Sequence, residues 1–214
     1  MTREGTTGAV RDRWGAPGSG ARYAGGRWPS GRRRRRDPRL VERLLRRHGV
    51  APGARVLDAP CGAGRLLDAI AGERRFCVGL DASASMLREC AEARRFGGLV
   101  RADVGRLPLA GGAFDAVVAC RLLHHLRGEG GLRPVISELV RTSRRLVLAS
   151  FWDRCSLPAL RHRLLRRQSV RTAHSRDLVR MLFEEAGAEV VEFRAVPRFL
   201  SQQTFVVARK GRHA

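Results

Sequence analysis

The chain has 214 residues, 43% of them hydrophobic, enough to enclose one α/β core and too few for two full ones. Its 42 Lys and Arg against 20 Asp and Glu give a formal net charge of +22. The five cysteines (Cys61, Cys77, Cys90, Cys120 and Cys155) form no CxxC pair and have no His at metal spacing, which points to a reducing compartment and no structural zinc.

No apolar run reaches membrane-spanning length, and Glu4 and Asp12 argue against an arginine-rich targeting segment, so the expected location is cytoplasmic. Residues 1–37 lack apolar periodicity and read as a flexible basic arm ahead of a domain over 38–214. Residues 1–50 carry fourteen arginines against four acidic residues. The run 32–36 either binds phosphates such as RNA without sequence preference or is simply solvated. Lys210 is the only lysine, a coding bias that explains arginine in place of lysine but not the excess of charge.

Pro38 is expected to open a helix running to Arg47, with Leu40, Val41, Leu44 and Leu45 on one face. A buried strand over 55–58 then ends in Asp58 and is followed by Ala59-Pro60-Cys61-Gly62-Ala63-Gly64 and a helix over 65–71. Gly62 and Gly64 let the backbone approach a ligand, and a helix N-terminus offers N–H groups to an anion. Asp58 discriminates among ligands. A carboxylate here repels a dinucleotide pyrophosphate but suits a ligand bearing both an ammonium and a carboxylate, as S-adenosylmethionine (SAM) does.

A second strand over 76–81 ends in Asp81, 23 residues after Asp58, enough for one helix and a parallel return strand. A carboxylate there can accept two ribose hydroxyls. A third strand over 98–102 leads to Asp103, which could accept from an adenine amino group. Each aspartate alone would more often be structural; three at successive strand ends favour a cofactor. Ala82, Met86 and Val104 flank these positions, Met86 fitting either the core or the underside of an adenine.

A helix over 83–95, a Gly111-Gly112 turn, a strand over 114–119 ending at Cys120, a helix over 132–141 and a strand over 145–151 follow. Residues 152–174 fit no core element. A helix over 175–186 has Ser175 as its N-cap and stops at Gly187. Strands over 189–194 and 204–209, joined by a short connection, make an antiparallel hairpin.

The segments LDAPCGAG, VGLDASASML, VRADVGRLPLAGGAFDAVVACRLLHHL and SQQTFVVARK resemble class I SAM-dependent methyltransferases, in the broad small-domain group with an LHHL-type segment. The resemblance covers residues 39–210 and departs at Pro60, where the family usually has glycine. It implies a Rossmann-like α/β fold: a seven-stranded, mostly parallel sheet with an antiparallel last strand and helices on both faces. It also implies SAM held by Asp58, Ala59, Cys61, Gly62, Gly64, Asp81, Ala82, Met86, Asp103, Val104 and Cys120, with residues 152–174 as a substrate lid.

His124, His125 and His174 are candidates for a catalytic base, though each alone reads more readily as a ring that hydrogen-bonds its loop. No Asp- or Asn-Pro-Pro-aromatic segment, presented nucleophilic cysteine or catechol-type acidic set is present. The expected function is methyl transfer from SAM to a small-molecule or lipid-like acceptor. Alternatives are RNA methylation through the arginine-rich arm and a non-catalytic RNA-binding or assembly factor. A dinucleotide oxidoreductase is disfavoured by Asp58.

Overall fold

Strands buried on both faces set the architecture. Val56, Leu57, Ala116, Val117, Val118 and Ala119 are fully buried, the near-continuous apolar pattern of a parallel sheet covered on both sides. The computed structural model describes residues 32–72, 74–92, 97–164, 171–196 and 201–211. In chain order the elements are α1 (Arg32–Arg47), β1 (Arg55–Asp58), α2 (Leu67–Ala71), β2 (Phe76–Asp81), α3 (Ala84–Glu92), β3 (Gly98–Arg101) and β4 (Phe114–Ala119). A 3₁₀ turn (Leu123–His125), α4 (Gly128–Thr142), β5 (Ser143–Asp153), α5 (Leu157–Leu164), β6 (Ala173–His174), α6 (Arg176–Glu185), β7 (Ala188–Ala195) and β8 (Gln203–Lys210) follow.

The strands run β3-β2-β1-β4-β5-β8-β7 across the sheet, with β6 paired to the end of β5. β1 to β5 are mutually parallel where they pair, while β8 is antiparallel to both β5 and β7. Alternate residues along a strand point to opposite faces. Leu57, Val117, Val147, Phe151 and Val206 therefore join α4 and α6 in one core layer. Val56, Ala116, Val118, Leu148 and Phe205 join α1 and α2 in the other. The strand order reverses between β1 and β4, so the carboxyl ends of these strands flank the crevice where open α/β sheets bind ligands.

The expected arm boundary needs correction. Helix α1 begins at Arg32, so 32–37 are helical and Pro38 lies inside the helix. Arginine is a good helix former, and Pro38 removes only one intrahelical donor. Asp37 anchors this turn: it is 2% exposed and accepts from Arg65 Nη1 at 3.0 Å and Arg121 Nε at 2.9 Å. Residues 1–31, the rest of the expected arm, lie outside the described residues.

Segment 152–174 contains α5 and the unexpected eighth strand β6, whose Ala173 and His174 pair with Trp152 and Asp153. Two residues are too few to show a period of two. Helix α4 starts at Gly128 rather than 132, because Gly128, Gly130 and Gly131 hide its first turn from any propensity argument. No helix among the described residues is long and apolar enough to cross a membrane.

Candidate functional site

At the end of β1, Asp58 is fully buried and neither carboxylate oxygen has a hydrogen-bond partner. Burial pushes its pKa up from 3.8 to about 8; the Arg65 guanidinium opposes the rise and Asp81 adds to it. Buried polar groups are normally paired, so two orphaned oxygens mark a place for a cationic hydrogen-bond donor.

The turn after Asp58 is fixed by its own backbone. Ala59 N donates to Val118 O at 2.9 Å, Cys61 N to Leu80 O at 2.8 Å, and Gly64 N to Cys61 O at 3.1 Å. Pro60 therefore leaves the adjacent ties between strands intact. The two glycines serve different ends. Gly62 has φ +54 and opens onto free space, since nothing lies within 4 Å of where a Cβ would stand. Gly64 has φ +77 and a packed surround, where a Cβ would meet Leu67 Cδ1 at 2.7 Å and Cys90 Sγ at 3.0 Å. This conformation also delays α2, which starts at Leu67 instead of 65. The expected helix N-terminus beside the glycines is thus replaced by a turn whose N–H groups are largely engaged.

Asp81 is brought to this turn from the end of β2. Its Oδ2 accepts from Gly62 N and its Oδ1 from Ser83 N, both at 2.9 Å. Burial raises its pKa while the backbone N–H groups of Ser83, Gly62 and Ala82 pull it down. Met86 is buried at the start of α3, whose first turn is capped by Ser83 Oγ accepting from Met86 N at 3.3 Å. Ala82 is half-buried, and its carbonyl accepts from Arg101 Nε at 3.3 Å. Asp103 stands beyond β3, half-buried, with Oδ1 accepting from Gly105 N at 2.8 Å. Its neighbour Val104 packs against the core.

Beyond β4, Cys120 lies in a polar cluster that the sequence did not announce. Arg65 Nη2 approaches its sulfur at 3.5 Å, and Ser150 Oγ and Gln203 Nε2 do so at 3.8 Å. Burial raises the Cys120 thiol to about 11, so it stays protonated at neutral pH. Arg121 holds φ +63, donates its N–H to Ser150 Oγ at 2.8 Å and shares Asp37 with Arg65. Asp37, Arg65, Arg121, Ser150 and Gln203 were missed because they come from distant segments. Only the placement of Arg65 directly after Gly64 carried a local signal.

The histidines differ. His124 is buried, its ring stacked on Trp152 at 5.0 Å, and its Nδ1 has no hydrogen-bond partner. Burial, then the neighbouring His125, Arg171, Arg121 and His174, lowers its pKa to about 2. His174 is buried and hydrogen-bonds through Nε2 to Leu123 O at 3.1 Å, burial lowering its pKa. His125 is half-buried, its ring 4.4 Å from that of His124.

A family model described as a methyltransferase domain matches residues 56–145, the stretch holding β1 to β4, Asp58, Asp81 and Asp103. Residues 56–145 thus resemble a methyltransferase domain in sequence. Demethylmenaquinone methyltransferase of Corynebacterium urealyticum is 34% identical over 113 residues, covering 51% of this chain and 47% of that protein. The Beutenbergia cavernae enzyme of the same name is 35% identical over 119 residues, covering 52% and 48%. The chain thus spans about half the length of the curated relatives it matches. Likeness of fold extends beyond the matched stretch. The structure of magnesium protoporphyrin IX methyltransferase from Synechocystis with bound SAH superposes with a TM-score of 0.79 at 20% identity, over 95% of this chain and 99% of that one.

Proposed function

We propose that this chain is a SAM-dependent methyltransferase acting on a small-molecule or lipid-like acceptor. The observation that carries the reading is the buried, doubly unpartnered carboxylate of Asp58 beside the open space at Gly62. Asp58 would receive the ammonium group of SAM, and the space at Gly62 would take its methionyl chain. Both Asp81 oxygens accept from the backbone of the turn, and the carboxylate's remaining acceptor capacity would go to the ribose. Asp103 would accept from the adenine amino group, with Met86, Ala82 and Val104 as its apolar surround. Ala59, Cys61 and Gly64 would shape the turn, and Cys120 would close the crevice from the side of β4.

When bound, SAM supplies an electrophilic methyl group, so the protein's main task is to orient the acceptor. A base with a pKa near 2 takes no proton at neutral pH, so His124 serves better as an orienting ring stacked on Trp152. His174 is committed to the Leu123 carbonyl. His125 is the remaining candidate for an acceptor whose proton must leave. Leu157 and Leu160, 51% and 42% exposed on α5, offer apolar surface in the segment read as a lid. Acceptors named for the similar proteins, demethylmenaquinone and magnesium protoporphyrin IX, support a small-molecule substrate.

Two measurements test this reading. Calorimetric titration with S-adenosylhomocysteine (SAH) is expected to show binding to the natural chain and at least about tenfold weaker binding to Asp81→Ala, from loss of a charge-assisted contact. Unchanged affinity in Asp81→Ala and in Gly62→Val would sink the site. Transfer of tritiated methyl from SAM into a host extract should label organic or small-molecule fractions; label confined to nuclease-sensitive material would overturn the acceptor class.

A further inference from the structure

The opposite edge of the sheet, where β1, β4 and β5 begin, holds a second concavity. A groove of about 1070 Å³ is lined by Arg47 at the end of α1, Arg144 and Arg145 at the start of β5, and Arg209 and Lys210 at the end of β8. Asp115 is the single acidic residue in its lining. None of the residues that hold the cofactor in the proposed reading lines it.

The cations are only partly neutralised. Arg47 stands 3.7 Å from Glu192, and Arg144 stands 4.0 Å from Asp115, whose other oxygen already accepts from Arg55 N. Lys210 donates to the carbonyls of Ser143 and Arg141, at 3.2 and 3.5 Å, which leaves its charge uncompensated. The side chains of Arg145 and Arg209 have no hydrogen-bond or ion-pair partner among the described residues. Five like charges around one concavity raise a positive potential that draws an anion in.

The form of the groove selects the anion. The cations come from three separate elements, and Arg47 and Arg144 side chains are 62% and 65% exposed. That spread is unlike a pocket closing on one phosphate and fits a repeating one. Gly49 and Gly112, both at positive φ with nothing within 4 Å of a Cβ, leave room for a chain to lie close. No Phe, Tyr or Trp lines the groove, so bases find no stacking platform and the backbone is what is read. A membrane surface fits less well. It would want apolar anchors beside the charges, and none of Phe76, Leu157, Leu160, Met181 and Val191, the exposed large apolar residues among those described, lines the groove.

We propose that this groove docks the phosphodiester backbone of a single-stranded nucleic acid, without sequence preference, at the edge of the sheet away from Asp58. The test is fluorescence anisotropy of the full chain with a labelled RNA of about 20 nucleotides and its DNA counterpart. Both should bind alike, and affinity should fall about a hundredfold between roughly 50 and 200 mM salt, as for five phosphate contacts on a single strand. Arg145→Glu/Arg209→Glu should weaken binding at least about tenfold and flatten the log–log salt slope by about 1.4, two contacts' worth. Arg88→Glu/Arg154→Glu, the same charge change on exposed residues outside the groove, should stay within about threefold of the natural chain.

Calorimetric SAH binding by both variants reports folding, and it separates failure of this proposal from failure of the cofactor reading. If circular dichroism shows the groove variant unfolded, Arg145→Gln/Arg209→Gln replaces it with the same slope readout. The proposal is overturned by a folded groove variant that binds like the natural chain, by an equal loss in the control pair, or by retention on phosphatidylglycerol vesicles in preference to the oligonucleotide.

Discussion

Asp58 is carried at a cost that only a ligand can offset. Its folded pKa, about 8, lies above the ordinary 3.8, so the empty fold favours the neutral acid. Stability is therefore fully present below about pH 4 and falls as pH rises toward 8, with on the order of 4 kcal/mol lost by pH 7. Asp58→Asn should raise the thermal unfolding midpoint of the ligand-free protein at pH 8 by several degrees and abolish SAH binding. A lowered midpoint would mean that the carboxylate is structural. The same shift gives binding a pH dependence. Pairing with an ammonium needs the carboxylate, so SAH affinity should climb from pH 6 to about pH 8, with proton release seen as a buffer-dependent calorimetric heat. The glycines separate in the same way. Gly64→Ala drives a Cβ to 2.7 Å from Leu67 Cδ1 and should cost about 2 kcal/mol in urea denaturation. Gly62→Ala meets nothing within 4 Å and should cost about 1 kcal/mol, from its positive φ alone.

Elements were legible where the signal was local. β4 falls at Phe114–Ala119 as read, because Gly111-Gly112 precedes an apolar run, interrupted only by Asp115, that ends at Cys120. Ser175 caps α6 by accepting from Leu178 N, and Gly187 at φ +87 closes it, both from residue chemistry alone. The closing hairpin was legible for the same reason. What escaped was fixed at a distance. The run 32–36 looks like solvated coil until Asp37 is seen to hold Arg65, 28 residues on, and Arg121, 84 residues on. Likewise the cluster of Cys120, Ser150 and Gln203 exists only because the end of β4 and the start of the antiparallel β8 both flank β5. Asp58 and Asp81 were legible as strand ends, whereas Asp103 falls two residues past β3, and nothing local told that Asp81 would grip the turn through Gly62 N. Asp37→Ala tests the anchoring of α1. It removes the carboxylate that two partly buried guanidiniums share, so it should cost about 3 kcal/mol and speed amide exchange across 32–47. Loss of less than about 0.5 kcal/mol would show that α1 is held by Val41, Leu44 and Leu45 alone.

The whole molecule divides its polar work between two ends of one sheet. Asp58 and Asp81 stand at carboxyl ends, in a crevice where burial makes anionic groups costly. The basic groove stands at the amino ends, where cations are exposed and left largely unbalanced. Between them lie two apolar layers with Phe151 and Phe205 fully buried, which tie both ends to one rigid frame. With a net charge of +22, self-repulsion works against that frame. Exposed charges are screened within about 10 Å at 0.1 M salt, whereas the pairs of Asp37 with Arg65 and Arg121 are largely shielded from it. The thermal midpoint should therefore rise as salt increases from about 10 to 300 mM, while oligonucleotide affinity falls over the same range. A scan of both quantities on one preparation checks the pairing. If the midpoint instead dropped with salt, ion pairs would outweigh the excess of cations, and the positive field assigned to the groove would be weaker than its lining implies.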